Sequence, residues 1–99
     1  LITIIDYNKW QGTGRSNEIL NLKPMQEKWK SFGWKTIIID GHNHNTLQKV
    51  LKKKYNKPTA IIANTTKGKG VSFMEDDNNW HYRIPSFDEV EIAKKELKV

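Results

Sequence analysis

Three short apolar runs punctuate the chain, and each closes on polar or glycine-rich residues. Residues 1–5 carry β-branched side chains at four of five positions and run into Asp6-Tyr7-Asn8. Residues 34–39 close on Asp40-Gly41-His42-Asn43, and residues 59–63 on Asn64-Thr65-Thr66 followed by Lys67-Gly68-Lys69-Gly70. Near-continuous apolar runs of this length predict strands buried on both faces, which is the habit of parallel sheets. Between them the period changes. Leu22, Met25, Trp29 and Phe32 recur at helical spacing, with Pro24 suited to a first turn and Gly33 to a C-terminal stop. Residues 45–55 place Leu47, Val50 and Leu51 on one face, and Pro58 introduces the third strand. Ser86 and Glu89 have the spacing of a capping box, with Val90, Ala93 and Leu97 directed inward behind them.

The predicted order is strand, helix, strand, helix, strand, long loop, helix. That is an α/β class chain: a βαβαβ portion of a parallel sheet with flanking helices. Crossovers in such units are right-handed, which puts both early helices on a predictable face and all three strand ends on one edge. In parallel sheets that edge holds the chemistry. Residues 9–21 and 67–85 fit no regular element, and loops of such length in a compact domain are often functional. No repeat or linker divides the chain, so residues 1–99 read as one unit.

Composition narrows the class. With 99 residues, 36% apolar and 28% charged, the sequence belongs with globular domains and not with disordered ones. A chain this short hides only about 65% of its unfolded surface, so a missing partner is expected. It opens on a strand pattern without a methionine and reads as beginning in the middle of a fold: a fragment, a processed product or a separately made subunit. It has no cysteine, which removes disulfide and thiolate-metal chemistry and fits a reducing compartment such as the cytoplasm. No apolar run approaches the roughly 20 residues of a membrane span. The net charge of +6 invites a nucleic-acid reading. However, its densest basic run, Lys52-Lys53-Lys54 with Lys49 and Lys57, lies on the polar face of a helix and lacks interleaved aromatic residues. A solvated helix face accounts for it, and no nucleic-acid partner is expected.

Several segments could do chemistry. Asn8 offers a neutral side-chain oxygen, and the backbone beyond it offers carbonyls, both hard ligands for magnesium or calcium; an Asn after a strand is also a common turn residue. The segment from Thr65 to Glu75 combines glycines that permit close backbone approach with lysines that supply charge, or is a flexible surface loop. It lacks the Walker spacing, so it is not a nucleoside-triphosphate loop. His81, in Asn79-Trp80-His81-Tyr82-Arg83, could hydrogen-bond a phosphate or a sugar hydroxyl, shuttle a proton, or serve structure alone. His42 and His44 sit at a helix start, where capping is the expected job. Glu75, Asp76 and Asp77 form an acidic turn that contacts substrate or is solvated.

Taken together, Ile5-Asp6-Tyr7-Asn8-Lys9-Trp10-Gln11, Lys28-Trp29-Lys30-Ser31-Phe32-Gly33-Trp34, Asp40-Gly41-His42, Lys57-Pro58-Thr59 and the segment from Thr66 to Glu75 resemble the thiamine diphosphate-binding half of transketolases over essentially the whole chain. Their order and spacing are more specific than any one piece. The resemblance is greatest to the separately encoded N-terminal transketolase-like subunits of bacteria, where a Trp-His pair like Trp80-His81 follows the Gly-Lys-Gly segment. It implies a thiamine diphosphate cofactor held through Mg2+ (or Ca2+), with the Asn8 side chain and the Trp10 carbonyl as metal ligands. It implies His81 as the catalytic histidine over the cofactor, and Lys69 as a further cofactor contact. It also implies the C-terminal part of a domain whose Gly-Asp-Gly opening lies before Leu1, and whose activating glutamate belongs to a separate pyrimidine-binding domain.

The implied function is transfer of a two-carbon ketol unit between sugars by a dimer or larger homo- or hetero-oligomer, with this chain alone inactive. Gly12-Thr13-Gly14-Arg15-Ser16 stands where many transketolases have an Asp-Gly pair, which points to a specialised sugar-pathway member. Deoxyxylulose phosphate synthesis, 2-oxo acid decarboxylation and a non-catalytic assembly remnant are the alternatives.

Overall fold

The computed structural model describes all of residues 1–99. Three strands form one sheet: β1 (Ile2–Tyr7), β4 (Lys35–Asp40) and β5 (Thr59–Asn64). Their order is β1-β5-β4 and every pairing is parallel. The α/β class and the parallel arrangement are therefore as the sequence predicts. Each strand runs one or two residues beyond its apolar core into the polar segment that follows.

The last strand in sequence is the central one in space. Thr59, Ala60, Ile61, Ile62 and Ala63 are all buried, and five positions of one strand supply most of the eight buried residues of the chain. Ile4, Ile61 and Ile37 lie abreast across the three strands, so Ile37, Ile39, Ile61 and Ala63 point to one face and Ile38 and Ile62 to the other. Helix α3 (His44–Lys52) packs Leu47 and Val50 on the first of these faces. Helix α2 (Met25–Ser31) lies against Ile38 and Ile62 on the second. The two early helices thus take opposite faces and not a common one. The reason is topological: the chain crosses from β1 past β5 to β4 and then steps back, and two crossovers of one hand running in opposite directions must emerge on opposite sides.

The helix ends follow their sequence signals. Pro24 is the N-cap of α2, and Gly33, at φ +81, takes the left-handed conformation that ends it. Asn43 caps α3 by accepting a hydrogen bond from Thr46 N at 2.9 Å. Helix α4 (Phe87–Leu97) opens on the capping box of Ser86 and Glu89. It lies on the loop before it, and not on the sheet: Ser72 N and Oγ donate to the Glu96 carboxylate at 2.6 and 2.5 Å.

The two stretches that fit no element in the sequence are partly regular. Residues 9–21 contain a small antiparallel hairpin, β2 (Trp10–Gln11) and β3 (Gly14–Arg15), and a single helical turn, α1 (Ser16–Ile19). Residues 67–85 contain a 3₁₀ turn over Asn78–His81. The strands of the hairpin are too short to leave an alternating pattern, which is why their residues read as loop.

The chain exposes 7208 Å². A free-standing protein of this mass exposes about 5,800 Å², so about 1,400 Å² is in excess. The radius of gyration, 16.2 Å, likewise exceeds the value of about 13 Å for a compact domain of this length. Much of the excess is apolar. Ile4 of β1 is 50% exposed, and Phe32, at the helical spacing of α2 but just past its end, is 81% exposed. No helix is long and apolar enough to cross a membrane.

Ile61→Ala is expected to destabilise the chain by about 2–5 kcal/mol, because it empties the centre of the sheet. Ser86→Ala should cost about 1 kcal/mol by opening one cap. Urea unfolding followed by circular dichroism checks the contrast; equal effects would mean that β5 is not the centre of stability.

Candidate functional site

The C-terminal ends of β1, β5 and β4 lie side by side, and the polar residues that follow them are joined to one another. Thr65 Oγ1 donates to the Asp6 carboxylate, and Thr65 N donates to the Tyr7 carbonyl at 3.3 Å. Gly41 N donates to the Asn64 carbonyl at 2.8 Å. A Cβ at Gly41 would stand 2.5 Å from Thr65 Cγ2 and 3.1 Å from that carbonyl, so the close approach of the β4 and β5 ends requires glycine here. His42 does not cap the helix. Its Nε2 accepts a hydrogen bond from Thr66 N at 2.7 Å, so it anchors the start of the glycine-rich segment, and Asn43 does the capping.

Asn8 follows β1 directly. Its Oδ1 accepts from Trp10 N at 2.9 Å across Lys9, which sits at φ +68. This is the turn that Asn side chains form with their own backbone two residues on. It leaves Oδ1 a second lone pair. Trp10 then enters the hairpin opposite Arg15. Ser16 N donates to the Lys9 carbonyl at 2.9 Å, so the Lys9/Ser16 pair carries the cross-strand bonds and Trp10/Arg15 is the next, non-bonded pair. In such a pair the N–H and C=O point away from the partner strand. The Trp10 carbonyl is therefore directed outward, on the edge where Asn8 Oδ1 meets the Trp10 N–H. Both are neutral oxygens on the same side of β2, a donor type that suits a hard divalent cation. No group of three or more His, Asp or Glu side chains is arranged so that it could hold a metal ion.

The long loop is fastened onto this hairpin. Asp76 accepts from Arg15 Nη1 and Nη2, each at 2.6 Å, and from Trp10 Nε1 at 2.9 Å. The Arg15 guanidinium lies over the Trp10 ring at 3.6 Å from its centroid. Asn78 Nδ2 donates to the Gly12 carbonyl at 3.2 Å. The loop is thus tied down and not a free surface segment. The acidic turn serves structure: Asp77 caps the 3₁₀ turn through Asn79 N, and Glu75 Oε1 accepts from Gly70 N at 3.1 Å.

His81 ends the 3₁₀ turn with its ring exposed and edge-on to Tyr82, centroids 4.6 Å apart. It approaches the hairpin tip closely, since a Cβ at Gly12 would lie 3.5 Å from His81 Nε2 and 3.2 Å from the Tyr82 hydroxyl oxygen. An open concavity of about 580 Å³ lies alongside, lined by Gly12, Thr13, Asn78, Asn79, Tyr82 and Arg83. Asn8, Trp10 and His81 therefore belong to two loops that are bonded together. Lys69 sits at the other end of the second loop, where its Nζ pairs with Glu75 Oε1 at 3.2 Å. The Arg15–Asp76–Trp10 group escapes a reading of the sequence because Asp76 stands 61 positions from Arg15 and 66 from Trp10.

Arg15, and after it Trp10, hold the Asp76 carboxyl at about 2, below its ordinary value of 3.8. A depressed carboxylate contributes stability that is fully present above its unfolded value and is lost as pH falls through its folded one. The tie between the loops is thus expected to hold at pH 4 and above and to fail as pH falls towards about 2. Following the Asp76 carboxyl carbon by NMR should give a midpoint near 2; a midpoint near 3.8 would mean that the carboxylate is free in solution.

The chain matches, over residues 1–99, the family described as transketolase, thiamine diphosphate binding domain. It is 41% identical over 100 residues to an apulose-4-phosphate transketolase subunit of Actinobacillus succinogenes, covering 99% of this chain and 36% of that protein. It is 45% identical over 78 residues to a 6-deoxy-6-sulfo-D-fructose transketolase subunit of a Clostridium species, covering 76% of this chain and 28% of the relative. Human transketolase is 36% identical over 81 residues, 82% of this chain and 13% of that one. The crystal structure of transketolase from Campylobacter jejuni superposes with a TM-score of 0.91 at 27% identity, over 99% of this chain and 16% of that chain. The chain thus spans about a third of the length of the Actinobacillus relative. By fold and by sequence alike, this chain belongs to the transketolase family and lies within its thiamine diphosphate binding domain.

Proposed function

We propose that residues 1–99 form the C-terminal part of a thiamine diphosphate-binding domain in a transketolase-like enzyme that moves a two-carbon ketol unit between sugars. What supports this reading is the turn in which Asn8 Oδ1 accepts from Trp10 N just past the C-terminal end of β1, together with the hairpin register, by which the Trp10 carbonyl faces away from β3 on that same side. They would hold Mg2+ (or Ca2+), with the remaining ligands drawn from the diphosphate and from a carboxylate outside this chain. Thiamine diphosphate supplies, when bound, the electron sink for breaking and making the carbon–carbon bond beside a ketose carbonyl. His81, on the neighbouring loop, presents an exposed imidazole that can donate to the diphosphate or to a substrate hydroxyl. Lys69 can add charge to the diphosphate floor only by releasing Glu75, so its part is the smaller one.

The relatives are named as transketolase subunits for apulose-4-phosphate and for a sulfo-sugar, which supports an anionic sugar as substrate and assembly with a second polypeptide. The uncovered apolar surface supports an oligomer, since monomers seldom leave large patches open.

Calorimetric titration of thiamine diphosphate with Mg2+ is expected to show binding when the remaining transketolase domains are supplied and none to the chain alone. Asn8→Ala should abolish that binding. His81→Ala should leave it largely intact while lowering ketol transfer by about 100-fold, the lower end of the effect of a lost proton-transfer group. No binding in the complete assembly would leave a non-catalytic remnant of the fold as the better account.

A further inference from the structure

We propose that Asp76 and Arg15 are positioning residues for the metal–diphosphate site: a latch that aims the Trp10 carbonyl and holds the His81 loop beside it. The inference rests on the half-site reading above and adds a second pair of residues to it.

Trp10 is held on three sides. Its N–H is taken by Asn8 Oδ1 at 2.9 Å, its indole N–H by Asp76 Oδ1 at 2.9 Å, and its ring face by the Arg15 guanidinium at 3.6 Å. Arg15 is also its cross-strand partner, so the two side chains stand on the same face of the hairpin. Asp76 closes the group by accepting both Arg15 nitrogens, a planar fork that lysine cannot reproduce. With main chain, ring edge and ring face all fixed, the carbonyl of Trp10 has little freedom to turn.

The same carboxylate reaches across 66 positions of sequence to Trp10 and binds the two loops together. Asp76 itself takes φ +57, a left-handed turn conformation that Asp tolerates, and its N–H donates to the Lys67 carbonyl at 2.9 Å. The 3₁₀ turn that ends in His81 starts two residues later, and Asn78 bonds to the Gly12 carbonyl in the hairpin tip. One cluster thus sets the aim of the carbonyl and the station of the histidine. Arg15 and Asp76 remain partly exposed, with side chains 33% and 51% accessible, and exposed ion pairs contribute little to stability. The expected effect is on the geometry of the site more than on the fold.

The test uses the chain assembled with the remaining transketolase domains and saturated with thiamine diphosphate, and it reads Mg2+ affinity by calorimetry together with thermal stability. Asp76→Asn is expected to weaken Mg2+ binding about 10-fold, the scale on which residues that orient metal ligands act, with a nearly unchanged melting temperature. Arg15→Lys, which keeps the charge and loses the fork, should weaken it in the same direction. Raising Mg2+ should restore most of the turnover of both variants, as a merely damaged fold would not allow. Unchanged Mg2+ affinity in Asp76→Asn overturns the latch, as does a loss of melting temperature with affinity intact. Asn8→Ala separates the two readings: if it abolishes binding while Asp76→Asn does nothing, only the latch fails, and if neither matters, the half-site fails with it.

Discussion

The central position of β5 is the constraint on which everything else depends. A strand that is last in sequence but middle in space must be apolar toward both faces, and residues 59–63 are buried throughout. Its parallel pairing with β1 and β4 in turn forces the C-terminal ends of all three strands onto one edge. There the backbones come so close that Gly41 has no room for a side chain beside Thr65, and the polar residues after each strand bond to one another. The chemistry of the edge is a consequence of the register: aligning Asp6 with Ala63 brings the Asn8 turn beside the Thr65–Thr66 start of the glycine-rich loop.

From that edge outward, stability and function rest on different kinds of contact. The sheet is held by burial, which is insensitive to small rotations. The loops are held by directional bonds, namely a bidentate ion pair, an indole N–H and an Asx turn, and these specify orientation while adding little to stability. A metal–diphosphate site needs the second kind, because a carbonyl that points a few tens of degrees astray is no longer a ligand. The exposed Ile4 and Phe32 are apolar groups that this first kind of contact leaves uncovered.

How far the sequence discloses this follows the range of the signals. The three strands, the order of the helices, the Gly33 stop and the Ser86–Glu89 capping box are all local patterns, and each is found where the pattern puts it. The Asn8 turn and the Trp80-His81 pair could be singled out because a family resemblance gave them meaning. The Trp10–Arg15 hairpin could not, since two-residue strands have no period, although the Gly12-Thr13 step between them is a hairpin-sized gap. Asp76 reads as one acid among three, and only the fold brings it to Arg15. The same holds for His42, whose partner Thr66 lies beyond an entire helix and strand. The placement of α2 and α3 on opposite faces also waits on the strand order, which no local pattern contains.

The pairing of β1 with β5 carries a kinetic consequence. Ile2 and Lys35 both align with Thr59, and the stretch of chain enclosed in the second pairing is less than half that enclosed in the first. Closing the longer loop costs more entropy before any contact rewards it, so the β4-α3-β5 unit is free to form first and β1 docks onto a sheet already begun. Asn8 and Trp10 travel on that late-arriving strand. The hairpin over residues 10–15 is a local structure that can form by itself, but it reaches its place at the sheet edge only when β1 docks.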